Sequence, residues 1–503
     1  MPDSPHPRRW WVLSVLCLSA LLTVVANMGL NVALPSIGHD LDASTTSLAW
    51  IVDSYVLCFA GLLLPSGAIG DRFGRKATLQ TGLLIFLVSS ALGAFADQTW
   101  QVITARAVMG VGAALVTPST LSILAHVFAP AERAKAIGIW AAVTGGSVAV
   151  SLTWSGAMLE HFWWGSIFLS MAAVAAIAFV AGHVTLPESS HPDQAHLDPA
   201  GAVLSIIGVT GLLYGLIQAP DNGWTSPRVL AGFAVGVLGL IAFGLLEPRS
   251  ERPMLDLRFF RDRGFTLGSF SIAAAYFALF GMYFVFTQYL QLVRGYPPLT
   301  AGLYALPAGL AQFAVATVAK PLVGRHGIRV VLAVGLVACT AGLLTLATSD
   351  TDSSPWLFEI GLGLTGAGIG LTMPPATGAI MASLPPHKAG VGSAVNNLVR
   401  ELGGAFGIAL LGGITLLRYG TQLTSHVAHP PASAYAGLAQ AFTAGGGADS
   451  SLGTIARHAY ASGLDLAMIV GAAVVLLSAL VTYLTMPGRD IMPTSTAPVP
   501  AVR

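Results

Sequence analysis

Charged side chains interrupt long apolar runs of this chain, among them Asp53, Arg106 and Glu401. An ionisable group at hydrocarbon depth is costly, about 3 kcal/mol or more, so each is a functional candidate. A carboxylate beside a guanidinium can act as a proton switch. Ionised, it neutralises the cation; protonated, it releases it, and one proton then changes which conformation is favoured. At about 1.5 Å per residue, Asp53 lies about 9 Å in from the end of its run, and Arg106 lies at a similar depth. The two are therefore expected to pair, directly or through water. Glu401 falls near the middle of its run, and its neighbour Arg400 points about 100° away around the helix, so the two do not pair automatically. A static bridge between helices would use the same residue types, and Glu359, at the mouth of another run, reads as a surface residue.

A second cluster is Gly67-Ala-Ile-Gly-Asp71-Arg72-Phe-Gly74-Arg75-Lys76, set between apolar runs Leu48 to Ile69 and Ala77 to Ala96. Asp71, Arg72, Arg75 and Lys76 cannot lie in lipid, so the stretch is expected to be a tight loop at one membrane face. Its glycines allow a sharp turn and close helix approach, and its three basic residues mark the face as cytoplasmic.

The elements that must position these groups are apolar helices. Of 503 residues, 54% are hydrophobic and only 9% charged, against roughly 25% charged in soluble domains. The net charge of +1 argues against a nucleic-acid partner, and the partner this composition predicts is the lipid bilayer. Cys17, Cys58 and Cys339 sit singly inside apolar runs and offer neither a disulfide framework nor a metal set. Runs at roughly 10–36, 48–69, 77–96, 101–128, 136–159, 164–186, 200–219, 228–247, 264–290, 300–320, 330–348, 357–383, 389–417 and 463–486 make fourteen. The first is too long for a signal-peptide core and reads as a retained helix. With both termini cytoplasmic, the cytoplasmic segments hold 18 of the 24 Lys and Arg residues and the outer segments 4, the bias expected of that topology.

The chain also repeats itself. Gly324-Arg325-His326-Gly327 is a degraded copy of the first hinge, with Arg325 and Gly327 offset by 253 residues from Arg72 and Gly74. Two six-helix halves alone would give an offset of about 190. The surplus matches the pair of runs at 200–247. The expected division is an N-terminal half over 1–190, an inserted pair over 191–250, a C-terminal half over 251–486 and a tail over 487–503. An outer loop at 419–462, with a short helix near 432–443, belongs to the second half.

The hinge resembles the G-x-L-x-D-R-x-G-R-K signature between helices 2 and 3 of major facilitator superfamily (MFS) transporters. Further stretches resemble the 14-helix drug–proton antiporter branch: Trp50-Ile-Val-Asp53-Ser-Tyr55, Arg106-Ala-Val-Met-Gly110-Val-Gly112-Ala-Ala, and Gly392-Ser-Ala-Val-Asn396-Asn397-Leu-Val-Arg400-Glu401. The resemblance implies an all-α polytopic membrane protein of MFS fold, a monomer in a bacterial cytoplasmic membrane. It would export hydrophobic or cationic small molecules by proton antiport, with no cofactor beyond the proton motive force. It also implies that Asp71 pairs across the cytoplasmic gate to hold the outward-open state, with Glu132 and Arg133 joining Arg72 or Arg75. Two departures stand out. The fifth-helix G-P-x-x-G-G is replaced by Ser151-Leu-Thr-Trp154-Ser155-Gly156, with Trp154 expected to fill the space, and the first-helix acid is replaced by Ala26. A facilitator without antiport coupling is the alternative these departures favour.

The ninth run is rich in aromatics, which pack or face lipid as readily as they line a cavity. The candidate substrate cavity is Trp154, Tyr283, Phe284, Gln288, Asn396 and Asn397, suited to flat hydrophobic molecules and, through cation–π attraction, to charged ones. A membrane enzyme finds no support, since the chain has no G-x-x-x-x-G-K-[ST] and no H-E-x-x-H.

Overall fold

A computed structural model describes residues 7–43, 45–188, 198–249, 253, 255–351, 353–385, 388–427 and 430–487. Fourteen long helices carry the described chain, and no strand occurs among the described residues. The first six are α1 (Arg9–Met28), α2 (Thr45–Phe73), α3 (Arg75–Ala94), α4 (Thr99–Val127), α5 (Pro130–His161) and α6 (Gly165–Thr185). Then come α7 (Pro199–Asn222), α8 (Pro227–Leu246), α9 (Arg263–Gln288), α10 (Leu306–His326) and α11 (Ile328–Leu346). The last are α12 (Pro355–Ala382), α13 (Ala389–His426) and α14 (Ser451–Thr485). In lipid a backbone must satisfy its own hydrogen bonds, so apolar runs of this length become helices. Thirteen of these helices are long and apolar enough to cross a membrane. The remaining one, α5, is 32 residues long. Its hydroxyls turn inward, with Thr144 donating to Trp140 O at 2.6 Å and Ser147 to Val143 O at 2.7 Å.

Helix starts follow side-chain capping. Asp198, Ser226, Asp262 and Ser450 each accept from the N–H three residues on, at the starts of α7, α8, α9 and α14. Glycines set the closest pairings. A Cβ on Gly211 would stand 2.7 Å from Gly236 N, and one on Gly239 2.9 Å from Gly208 Cα, so α7 and α8 meet backbone to backbone. The pair also leans on α2 and α13 through α7. On α5, Gly138, Gly145 and Gly156 face Ala316, Gln312 and Leu299, so that helix runs along α10 and the turn before it.

Two expectations of the sequence change. The hinge is no loop: α2 runs through Arg72 to Phe73, α3 starts at Arg75, and Gly74 alone breaks the helix at φ +108°. The expected loop over 419–462 is shorter, because α13 continues to His426 and α14 begins at Ser451. Its Ala-rich flanks form helix beyond the apolar runs. The intervening chain carries a short helix over Leu438–Gly445, near the expected place.

Candidate functional site

At the hinge end, α2 and α13 cross with two glycines face to face. A Cβ on Gly67 would stand 2.6 Å from Gly390 O, and one on Gly390 2.5 Å from Gly67 O. One turn further along α2, the buried Asp71 carboxylate accepts from Gly390 N at 2.9 and 3.0 Å and from Val391 N at 3.3 Å. These are first-turn N–H groups of α13, which have no intrahelical partner, and the helix dipole favours a negative charge there. Asp71 also accepts from Arg75 Nη2 at 2.8 Å and Nε at 3.1 Å. Gly74 sits between them with its helix-breaking φ, and a Cβ there would meet Glu188 Oε1 at 2.6 Å. Lys388, just before α13, is held below the usual lysine range by burial, against the opposing pull of Asp256, Glu247 and Asp71.

The other hinge residues serve their own surroundings. The Arg72 guanidinium lies 5.3 Å from the Phe73 ring centre, and Lys76 Nζ donates to His183 O at 2.9 Å. The expected link from Glu132 and Arg133 to Arg72 or Arg75 does not form. Arg75 is taken by Asp71, Glu132 pairs with Arg9 at 2.8 Å, and Arg133 donates to Phe128 O at 3.4 Å. Gly67→Ala is expected to hold the hinge end apart, because the added methyl meets backbone rather than a side chain that can swing away. Maleimide labelling of a cysteine placed at Ala394, which is fully buried against Gly67, should rise several-fold in that background. Wild-type labelling together with wild-type transport would contradict the close contact.

Above this seal lie the intramembrane charges. Counting at about 1.5 Å per residue from the Gly67–Gly390 contact, Asp53 is about 21 Å and Glu401 about 17 Å away, at similar levels. The expected Asp53–Arg106 pair is not how Arg106 is satisfied. Its Nε donates to Ile51 O at 3.0 Å and its Nη1 to Ala26 O at 2.7 Å, while the guanidinium lies 4.3 Å from the Tyr55 ring centre. Ala26 holds the place where the resemblance expects an acid, and its main-chain carbonyl takes the cation instead. The Asp53 carboxylate accepts from Gln218 Nε2 on α7 at 3.2 Å.

The opposite half uses a similar device. Arg400 donates to Asn397 Oδ1 at 3.0 Å and lies 4.5 Å from the Tyr276 ring centre on α9. Glu401 is half-buried and makes no hydrogen bond or ion pair among the described residues. Arg106 Nη2, Arg400 Nε and Asn396 Nδ2 are buried donors with no hydrogen-bond partner among the described residues. Such orphans are rare unless something polar enters between them.

The candidate cavity residues divide. Asn396, accepting from Thr377 at 3.0 Å, and Asn397 are on α13 with Arg400. Tyr283 is buried and donates to Ala305 O at 3.3 Å; Phe284 is exposed and packs on Gly412; Gln288 Nε2 turns back to Phe284 O at 3.3 Å. Trp154 does not fill the gap left by the altered fifth-helix motif. Its Nε1 donates to Ser170 Oγ on α6 at 3.1 Å. Ser151 and Ser155, one turn apart, face α1 instead, where a Cβ on Gly29 would stand 2.4 Å from Ser155 Oγ. Small residues therefore preserve the close α1–α5 contact without the motif.

Sequence reasoning missed Gln218, the Tyr55 and Tyr276 rings under the two arginines, and Asp465. Asp465 reads as lying at the mouth of its run, but α14 begins at Ser451, which puts the half-buried carboxylate well inside the helix with Oδ1 unbonded. A lone acid beside an apolar run was the available signal.

The sequence profile of the Major Facilitator Superfamily matches residues 16–408. The chain is 35% identical to the puromycin resistance protein of Streptomyces alboniger, over 86% of each chain. It is 35% identical to the multidrug efflux pump LfrA of Mycolicibacterium smegmatis, over 81% of each. With the tetracenomycin C resistance and export protein of Streptomyces glaucescens it shares 29% identity over 98% of this chain and 94% of that one. Among solved structures, the human organic anion transporter MFSD10 superposes with a TM-score of 0.61 at 14% identity, covering 95% of this chain and all of that one. A bacterial homologue of the lysosomal transporter Spinster gives 0.56 at 19% identity, covering 96% and 98%. With the hinge, the helix order and these matches in agreement, the chain belongs to the major facilitator superfamily.

Proposed function

We propose that this protein is a proton-driven exporter of hydrophobic or amphiphilic small molecules in a bacterial cytoplasmic membrane. It is a multi-pass transporter and not an enzyme. In this reading the hinge end and both termini are cytoplasmic, the chain works as a monomer without nucleic acid or cofactor, and the proton motive force supplies the energy. Two six-helix halves flank the inserted α7–α8 pair. Relatives named for puromycin resistance, multidrug efflux and tetracenomycin C export support drug or antibiotic substrates, self-resistance included.

The observation that carries the reading is Glu401, a carboxylate at membrane depth without a bonding partner among the described residues, with buried donors on the same helix also left unbonded, above an end sealed by Asp71. With the cytoplasmic end closed, Asp53 and Glu401 take protons from the outer side and release substrate. Protonation alters the charge balance around Arg106 and Arg400 and favours the opposite opening. The protons then leave to the cytoplasm as substrate re-enters the cavity.

The test uses proteoliposomes with an imposed proton gradient and purified protein, with puromycin and methyl viologen as probes beside a susceptibility panel in a pump-deficient bacterium. Uphill movement driven by the gradient alone is expected in the wild type. Asp53→Asn should abolish it while leaving downhill exchange, and Glu401→Gln should act more on cationic than on neutral substrates. The double mutant should lose substrate-linked proton exchange altogether. Unchanged proton exchange there would move the coupling to other groups, and no gradient-driven uphill movement in the wild type would leave the uncoupled facilitator, which Ala26 and the altered α5 motif favour.

A further inference from the structure

Gln218 lies one turn before the end of α7 and donates from Nε2 to Asp53 Oδ2 at 3.2 Å. Its orientation is held from the other side. Asn222 Nδ2 donates to Gln218 Oε1 at 2.9 Å and to its main-chain oxygen at 3.3 Å. With its oxygen engaged, the amide presents its NH2 group to the carboxylate. An N–H donor favours the ionised carboxylate, whereas the amide oxygen would favour the protonated acid. The register of α7 on α2 is set by close contacts. A Cβ on Gly61 would stand 2.4 Å from Thr210 Oγ1, and the Trp50 and Tyr214 rings are 6.3 Å apart.

We propose that Gln218, oriented by Asn222, is a positioning residue that sets the pH at which Asp53 takes up its proton. The α7–α8 pair is then part of the coupling machinery and not a lipid-facing accessory. This rests on the reading of Asp53 as a proton-exchanging group. Charged and titratable residues on the elements packed against α2 include Arg106 and His126 on α4, Arg400, Glu401, Arg418 and His426 on α13, Asp221 on α7 and Arg9 on α1. His39 and Asp40 lie on the exposed short helix Leu34–Asp40, and Arg75 and Lys76 on α3 at the hinge end. Gln218 Nε2 stands at the carboxylate oxygen itself, at 3.2 Å.

The experiment is an infrared difference titration of the purified full chain in lipid nanodiscs, with Asp53→Asn identifying the Asp53 carboxyl band. Gln218→Leu removes a donor that favours the ionised form, so the midpoint of that band should move upward by about one pH unit, the scale of one charge-assisted hydrogen bond. Asn222→Ala, at an exposed position, frees the amide to turn and should move the midpoint the same way by less. An unmoved midpoint in both variants overturns the proposal while the coupling reading stands. A shift in Gln218→Leu alone supports the bond and overturns the orienting role of Asn222. If Asp53→Asn removes no titrating band, Asp53 exchanges no proton, and the coupling reading falls together with this one.

Discussion

Asp71→Asn is expected to export at less than about a tenth of the wild-type rate while inserting and accumulating normally. The carboxylate uses both oxygens, on two N–H groups of α13 and on the Arg75 fork. Asparagine keeps one acceptor oxygen, loses the charge that meets the helix dipole, and turns an NH2 group toward other donors. Charge-assisted hydrogen bonds are worth about 1.5–3 kcal/mol each, so the sealed state should lose roughly ten- to a hundredfold in population. The buried Arg75 also loses the Asp71 charge it bonds, a further cost. Spin labels across the hinge end, one on α2 and one on α13, should report the wider separation. A wild-type distance with a wild-type rate would reduce the hinge to a topological marker.

Arg106→Lys is the second large effect. The guanidinium bonds Ile51 O on α2 and Ala26 O on α1 while lying over the Tyr55 ring, and Tyr55 itself donates to Thr23 O on α1 at 2.8 Å. One residue thus ties α1, α2 and α4 together. Lysine has a single compact ammonium and cannot hold both carbonyls and the ring face at once. Losing one charge-assisted bond at a fully buried site costs about 1.5–3 kcal/mol. The expected result is a fall in apparent melting temperature together with at least a tenfold loss of transport. A lysine variant that melts and transports like the wild type would show that the fork is dispensable.

The two predictions come from different levels of the molecule. Asp71 was legible because its charge could not lie in lipid and its spacing to the flanking glycines and basic residues matched a family signature. Its partner was not, because Gly390 lies more than 300 residues away and contributes only backbone N–H groups, which no residue pattern marks. Arg106 was legible as a buried charge, but its partners were not. The sequence favours a carboxylate, whereas the fold brings two main-chain carbonyls nearer.

The sequence by itself determined the helical membrane architecture, the hinge, the fourteen-run order and the identities of Asp53, Arg106 and Glu401. Apolar length and charge at depth are local properties, written residue by residue. Only the tertiary structure decided that Asp71 caps α13, that Ser151 and Ser155 rather than Trp154 close on Gly29, and that Gln218 meets Asp53. The extent of α13 and α14 beyond their apolar runs, which sets Asp465 well inside a helix, was likewise decided there. These depend on which faces of distant helices meet, and glycine contacts with backbone and with small side chains set those approaches. A single sequence lists the glycines but does not say which helix each one admits.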